Sequence, residues 1–222
     1  MFNRVLLIDD EKNFREPAVR LFGSKGFRMD AAGTGQEARQ RGKAKRFDFA
    51  IVDVRMDGED GIDVAAELQK IQQDLPIAFL TGWDSDDARK RAATKGVEAF
   101  AWYPKPLPAN KQQLDSFCVE MRASALADRF RLLARRWRSE TRYLSSIPEI
   151  AIHPCYQTII GMGHEAIPLI ISQLRNKPEH WFWALKAITN EDPVSPAMRG
   201  NLRAMTDAWL AWANERPQEP TS

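Results

Sequence analysis

Five short apolar runs, each separated from the next by a segment with helical spacing, fill the first half of the chain and leave few folds open to it. Residues 5–8, 28–31, 49–53, 77–81 and 99–103 have strand length, and all but 28–31 are rich in β-branched or aromatic residues. Between them, residues 13–24, 36–43, 62–73 and 85–95 carry apolar side chains at helical spacing, such as Phe14, Val19, Leu21 and Phe22 or Ile62, Ala65, Ala66 and Leu68. Gly26, Gly61 and Gly96 punctuate the alternation. Strands joined through helices pair in parallel, because a parallel neighbour needs a crossover long enough to return the chain to the same end. The pattern predicts an α/β domain built on a doubly wound, five-stranded parallel sheet.

Strand signals stop after Leu107. Residues 111–137 read as helix, with one apolar stripe through Leu114, Phe117 and Met121 and a second through Leu126, Phe130, Leu133 and Trp137. The register shift between Met121 and Leu126 suggests a break there. Helices are expected over 154–160, 165–174, 178–189 and 196–214, giving an all-α second half. The expected layout is a first domain over 1–121, an arginine-rich helical linker over 122–146, a helical output domain over 147–215 and a flexible tail over 216–222.

Composition narrows the setting. With 222 residues and 44% hydrophobic content there is material for a real core. No apolar run approaches the ~20 residues needed to cross a bilayer, and the first residues lack the basic start of a signal peptide, so a cytoplasmic protein without membrane contact is expected. Cys118 and Cys155 sit among apolar neighbours and read as reduced packing residues. The net charge of +2 hides a local excess, since seven arginines (122, 129, 131, 135, 136, 138 and 142) face only Asp128 and Glu140 between residues 121 and 146. A solvated helix face explains such a run most simply, and a nucleic-acid or acidic partner is the alternative.

The ends of the strands carry the chemistry. In an open α/β sheet, ligands bind outside the carboxyl ends of the strands where strand order reverses. Asp9 and Asp10 close the first run, Asp53 the third and Thr81 the fourth, and Lys105 follows the fifth, so all should meet on one rim. Clustered carboxylates cannot all stay ionised without a countercharge. An all-oxygen donor set without His or Cys favours Mg²⁺. Asp53, being central, is the best nucleophile, since a carboxylate can attack phosphorus to form an acyl phosphate. Lys105 would stabilise charge on the transferred oxygens and the Thr81 hydroxyl would donate to one of them. Singly these residues are ordinary turn, cap and strand-end residues; their joint placement carries the argument.

The segments Val5-Leu6-Leu7-Ile8-Asp9-Asp10-Glu11, Asp53-Val54-Arg55-Met56-Asp57-Gly58-Glu59-Asp60-Gly61, Leu80-Thr81-Gly82 and Lys105-Pro106 resemble the receiver domain of two-component response regulators, over roughly residues 3–121. The resemblance implies a flavodoxin-like fold with strand order 2-1-3-4-5. It also implies Asp53 as phospho-acceptor, Asp9 and Asp10 as the acidic pair, and the carbonyl of Arg55 as a further Mg²⁺ ligand. Lys105 is implied as the phosphoryl-binding lysine, followed by a cis peptide bond before Pro106. The donor would be a phosphohistidine on a sensor histidine kinase or phosphotransfer protein. The family couples its threonine, here Thr81, to a switch aromatic on the fifth strand; Trp102 occupies the usual spacing and Phe100 is its rival. Asp57 departs from the proline common four residues after the acceptor.

In the second half, Tyr156, Ile159 to Gly161, Ala166 to Ile170, and Trp183 to Leu185 resemble a HEAT-type helical repeat over about forty residues. His180, Trp181, Phe182 and Trp183 are consecutive, and one helix face cannot bury four neighbours spread through ~300°. Either the helix packs on both sides or part of this set forms an aromatic surface for a partner. The output is expected to act by binding a protein, with Trp181, Phe182, Trp183, Arg135, Arg136 and Arg138 as candidate contacts. A second copy of the chain is also a candidate partner. The competing reading is a nucleic-acid-binding regulator using the arginines of 122–142. No enzymatic site is expected in the helical half.

Overall fold

The computed structural model describes residues 3–82 and 86–216. Position 85, the expected start of one helix, and the expected tail beyond Arg216 lie outside the described residues. The chain divides into two compact units, Met1–Leu132 and Leu133–Ser222.

In the first unit, β1 (Arg4–Ile8), α1 (Lys12–Ser24), β2 (Arg28–Ala32), α2 (Gly35–Ala44) and β3 (Phe49–Val52) come first. A small hairpin of β4 (Arg55–Met56) and β5 (Glu59–Asp60) follows, then α3 (Gly61–Ile71), β6 (Ile77–Thr81), α4 (Asp86–Thr94) and β7 (Ala101–Pro104). The main sheet runs β2-β1-β3-β6-β7, every pair parallel. Counting only these five strands, the order is the expected 2-1-3-4-5. Every residue of β3 and β6 is buried, as a sheet covered by helices on both faces requires, which is why the sequence shows them as unbroken apolar runs. Leu6, Ile8, Val52, Ile62, Leu68 and Phe79 pack in one cluster. Phe27 meets both Phe22 and Phe49 edge to face, and Phe22 stacks on Phe117.

Helix starts follow local side-chain chemistry. Thr34 caps α2 by accepting from Glu37 N–H (3.2 Å), and Asp60 caps α3 by accepting from Ile62 N–H (2.9 Å). Most boundaries fall within one or two residues of the sequence pattern, and two of the shifts lie beside the strand ends of interest. Strand β3 ends at Val52, leaving Asp53 just past it. Strand β7 begins at Ala101 instead of 99, because the chain is still leaving the Gly96 turn (φ 75°).

Helix α5 runs unbroken from Lys111 to Thr141, so the expected break between Met121 and Leu126 does not occur. The apolar stripe passes through Cys118 and Ala125, both buried, and these small side chains hide its continuity in the sequence. The boundary between units falls inside this helix. Ahead of it, Arg129 pairs with Asp48 at 2.8 Å and Asp74 at 3.1 Å.

The second unit is helical: α6 (Ile147–Ala151), α7 (Pro154–Gly161), α8 (Ile167–Asn176), α9 (Phe182–Thr189) and α10 (Leu202–Asn214), with 3₁₀ turns at Gly163–Ala166 and Pro196–Met198. Its interior is aromatic. The Trp181 ring lies 4.4 Å from that of Trp137 and stacks on Tyr156 at 5.4 Å. The Tyr156 hydroxyl donates to the His180 carbonyl (2.7 Å) and accepts from Ala184 N–H (3.0 Å). The expected helix over 196–214 splits at Gly200 (φ 86°), and Asn201 starts α10 by accepting from Arg203 and Ala204 N–H at 3.1 Å each. Helix α9 starts at Phe182, four residues later than expected. No helix among the described residues is long and apolar enough to cross a membrane.

Candidate functional site

At the carboxyl ends of β1 and β3 the backbone leaves the sheet, and three carboxylates turn toward one another. Asp9, Asp10 and Asp53 each offer an oxygen within 4.8 Å of the others'. Asp9 is 1% and Asp53 6% exposed. Lys105, just past β7, reaches across: its Nζ lies 2.7 Å from Asp9 Oδ2 and 2.6 Å from Asp53 Oδ2. Thr81, at the end of β6, is also buried, and its carbonyl accepts from Lys105 N–H at 3.1 Å. The Lys105–Pro106 peptide bond is cis.

Backbone donors hold the carboxylates in register. Glu11 N–H donates to Asp9 Oδ1 at 3.0 Å, Arg55 N–H to Asp53 Oδ1 at 3.3 Å, and Asp57 N–H to Asp10 Oδ2 at 2.9 Å. Gly61 lets the chain fold back here. A Cβ at that position would lie 1.7 Å from the Asp53 carbonyl oxygen, so any other residue would displace the acidic loop.

The charges perturb one another. Burial pushes the Asp9 carboxyl above its ordinary pKa; Lys105 pulls it down, and the nearby Asp53 charge adds to the rise. Burial works against the Lys105 ammonium, yet its contacts with Asp53 and Asp9 outweigh this and hold its pKa above the usual lysine value. One cation thus serves two buried carboxylates. The donor set is carboxylate oxygen throughout, without imidazole or thiolate, which fits a hard divalent cation such as Mg²⁺.

The two switch candidates lie on opposite faces of the sheet. Trp102 is the register partner of Phe79, with ring centroids 4.4 Å apart, and so shares the face of Thr81 two residues on. The Arg89 guanidinium lies over the Trp102 ring at 5.0 Å. Phe100 packs edge to face on Phe49, on the other side. Spacing from Lys105 favours Trp102 in the sequence, and the opposite placement of the two rings is what the strand register adds.

Two neighbours of the site carry no signal in the sequence. The Phe14 ring lies 4.5 Å from Lys105 Nζ. Arg15 donates to the carbonyls of Asp9 and Asp10. Both sit on the first turns of α1, a placement that follows from the helix starting immediately after the acidic pair.

The candidate contacts of the second unit separate by burial. Trp181 and Phe182 lie in its interior, and only Trp183, 61% exposed, presents its ring outward. Trp181, just ahead of α9, lies against Trp137 and Tyr156. Arg138 is bound to Glu179 at 2.7 Å and Arg136 to Glu140 at 2.7 Å, while Arg135 is exposed.

Comparison with known proteins bears on the first unit. The family model described as the response regulator receiver domain matches residues 5–113. Response regulator MprA of Mycolicibacterium vanbaalenii is 32% identical over 120 residues, covering 54% of this chain and 49% of that protein. The transcriptional regulatory protein GlrR of Escherichia coli is 31% identical over 127 residues, covering 57% of this chain and 28% of that protein. The chain therefore spans about half the length of the first of these curated relatives and less of the second. A CheY-like receiver domain protein from Methanospirillum hungatei aligns with a TM-score of 0.49 and 19% identity, over 56% of this chain and 97% of that one.

Proposed function

Residues 5–113 being a response regulator receiver domain, we propose that this chain accepts a phosphoryl group on Asp53 from a phosphohistidine of a sensor histidine kinase or phosphotransfer protein. One Asp53 carboxylate oxygen attacks phosphorus, the bond from phosphorus to the donor imidazole nitrogen breaks, and the imidazole leaves with that electron pair. Later, water attacks the acyl phosphate, releasing phosphate and restoring the carboxylate.

Asp9, Asp10, Asp53 and the Arg55 carbonyl would hold Mg²⁺, which when bound supplies positive charge for the phosphoryl oxygens. The remaining work falls to side chains of the protein. Lys105 moves from bridging two carboxylates to pairing with the phosphoryl group, so its charge is already in place when the negative charge on that rim grows. The Thr81 hydroxyl donates to a phosphoryl oxygen. Trp102, sharing its face, fills the space thus opened, which biases a two-state surface and so the choice of partner.

The observation that most supports this reading is the convergence of Asp9, Asp10, Asp53 and Lys105 from three separate strands. Labelling of the full chain by a small acyl phosphodonor tests it. Label should appear only with Mg²⁺ and vanish in Asp53→Asn; label persisting at the normal rate in that variant would refute the acceptor assignment.

The helical unit we assign to protein binding. Four arginines of the basic run, Arg129, Arg131, Arg136 and Arg138, are engaged with carboxylates of the chain itself. This leaves less free charge for phosphates than the sequence suggests. The description of GlrR as a transcriptional regulatory protein favours the second reading, nucleic-acid binding through the helix 122–142. That reading predicts affinity falling with salt by roughly 0.9 log units per log salt for each neutralised phosphate. Absence of binding at low salt would end it.

A further inference from the structure

We propose that Asp57 is a positioning residue for the cation site, acting through its backbone N–H, which fixes the Asp10 carboxylate beside Asp9 and Asp53. The proposal rests on the assignment of this site to magnesium and deepens it.

The three carboxylates are not held equally. Asp9 and Asp53 are buried and both accept from Lys105 Nζ. Asp10 is less buried and forms no ion pair among the described residues; its Oδ2 accepts from Asp57 N–H at 2.9 Å. Without that donor the short Asp10 side chain is free to leave the cluster by rotating about χ1, at the cost of little more than a change of rotamer. With it, one oxygen is fixed and the other lone pairs stay available to a cation.

The donor exists because of the turn that carries it. Arg55–Met56 pairs antiparallel with Glu59–Asp60, so Asp57 and Gly58 are the two residues of the hairpin loop. Gly58 has φ 79°, whereas Asp57 is not among the residues with positive φ. That combination belongs to a turn whose first central position takes φ near −60°, a position proline occupies readily. The residue before it, Met56, is in a strand, as the residue before proline must be. A proline would therefore suit this turn and, relative to alanine there, would delete the N–H. The resemblance to receiver domains leads one to expect proline at this place; this chain has a donor there instead, and the donor points at the acidic pair.

The test is Mg²⁺ titration of the full chain by calorimetry, comparing Asp57→Pro with Asp57→Ala. Both variants lose the side-chain carboxylate and only the first loses the N–H, so the ratio of their affinities isolates the donor. Asp57→Pro should bind Mg²⁺ about tenfold more weakly than Asp57→Ala, the low end of the effect of outer-shell partners because this bond faces solvent. Equal affinities, or tighter binding by Asp57→Pro, would overturn the proposal. Absence of saturable binding in the wild type would overturn the magnesium assignment, and the proposal with it, which separates the two failures. Should Asp57→Pro not fold, the Asp57 amide resonance of the metal-free protein takes its place. It should shift upfield in Asp10→Ala, and an unmoved resonance would overturn the proposal.

Discussion

The two units both bury rings but differ in the charge their interiors hold. The first buries charge: Asp9 and Asp53 sit almost wholly out of water at the end of the sheet, sharing one lysine. In the second, the polar side chains buried among the described residues, Thr141 and Thr206, bond back to the carbonyls of Trp137 and Leu202 on their own helices. Charge in a core is costly unless a partner or a ligand uses it. An aromatic core needs no such reason, since its area burial and ring contacts stabilise the fold directly. The difference gives the proposed phosphoryl chemistry a buried charged site in the first unit.

The comparison can be broken most sharply in the aromatic interior. Trp181→Ala removes a fully buried ring from the Trp137–Tyr156 stack and should cost about 3–5 kcal/mol, read as a lowered denaturation midpoint. A loss below about 1 kcal/mol would mean that the stack is not the core.

Next comes the charged site. Lys105→Met removes the ammonium shared by Asp9 and Asp53 and should slow phosphoryl acceptance about 10²–10³-fold. Rapid-quench labelling measures it. Near-normal rates would show that the buried ion cluster is structural only.

A smaller effect is expected at the far rim of the first unit. Burial would raise the pKa of Asp74, but Arg129, and Arg46 beside it, hold it below the ordinary aspartate value. A depressed folded-state pKa stabilises the fold above the unfolded value of 3.8, and the benefit is lost as pH falls through the folded pKa. Asp74→Asn should therefore cost about 2 kcal/mol at neutral pH, the usual worth of a hydrogen bond to a charged group, and make stability less steeply dependent on pH below about 4. Thermal melts at several pH values would detect this, and parallel curves for variant and wild type would contradict it. The smallest effect belongs to Trp183→Ala, with 61% of the side chain already in water: within about 0.5 kcal/mol. A large loss there would blur the distinction between interior and displayed aromatics.

The same contrast explains which parts of the fold and site the amino-acid sequence makes legible. A parallel sheet buried on both faces writes its strands as apolar runs, so β1, β3 and β6 and the polar residues that end them can be read directly. The acidic pair, Asp53, Thr81 and Lys105 are visible because topology alone brings strand ends to one rim. The hairpin of β4 and β5 is not visible, since two-residue strands have no periodicity. Helix α6 escapes notice because five residues with Pro148 in the first turn resemble a loop. The partners of Arg129 are hidden for another reason: Asp48 and Asp74 lie in loops far back in the chain, and an arginine run read locally looks like unpaired charge. In the helical unit, the burial of Trp181 beside an exposed Trp183 depends on where α9 starts, which consecutive aromatics do not reveal.

The account turns on one aspartate carrying phosphorus, and trapping the acyl phosphate tests this most directly. The protein is labelled with a small phosphodonor and Mg²⁺, reduced with borohydride, and read by peptide mass spectrometry. The account predicts that reduction converts the side chain at position 53, and no other, to the alcohol. Modification at another carboxylate with position 53 unchanged would contradict it.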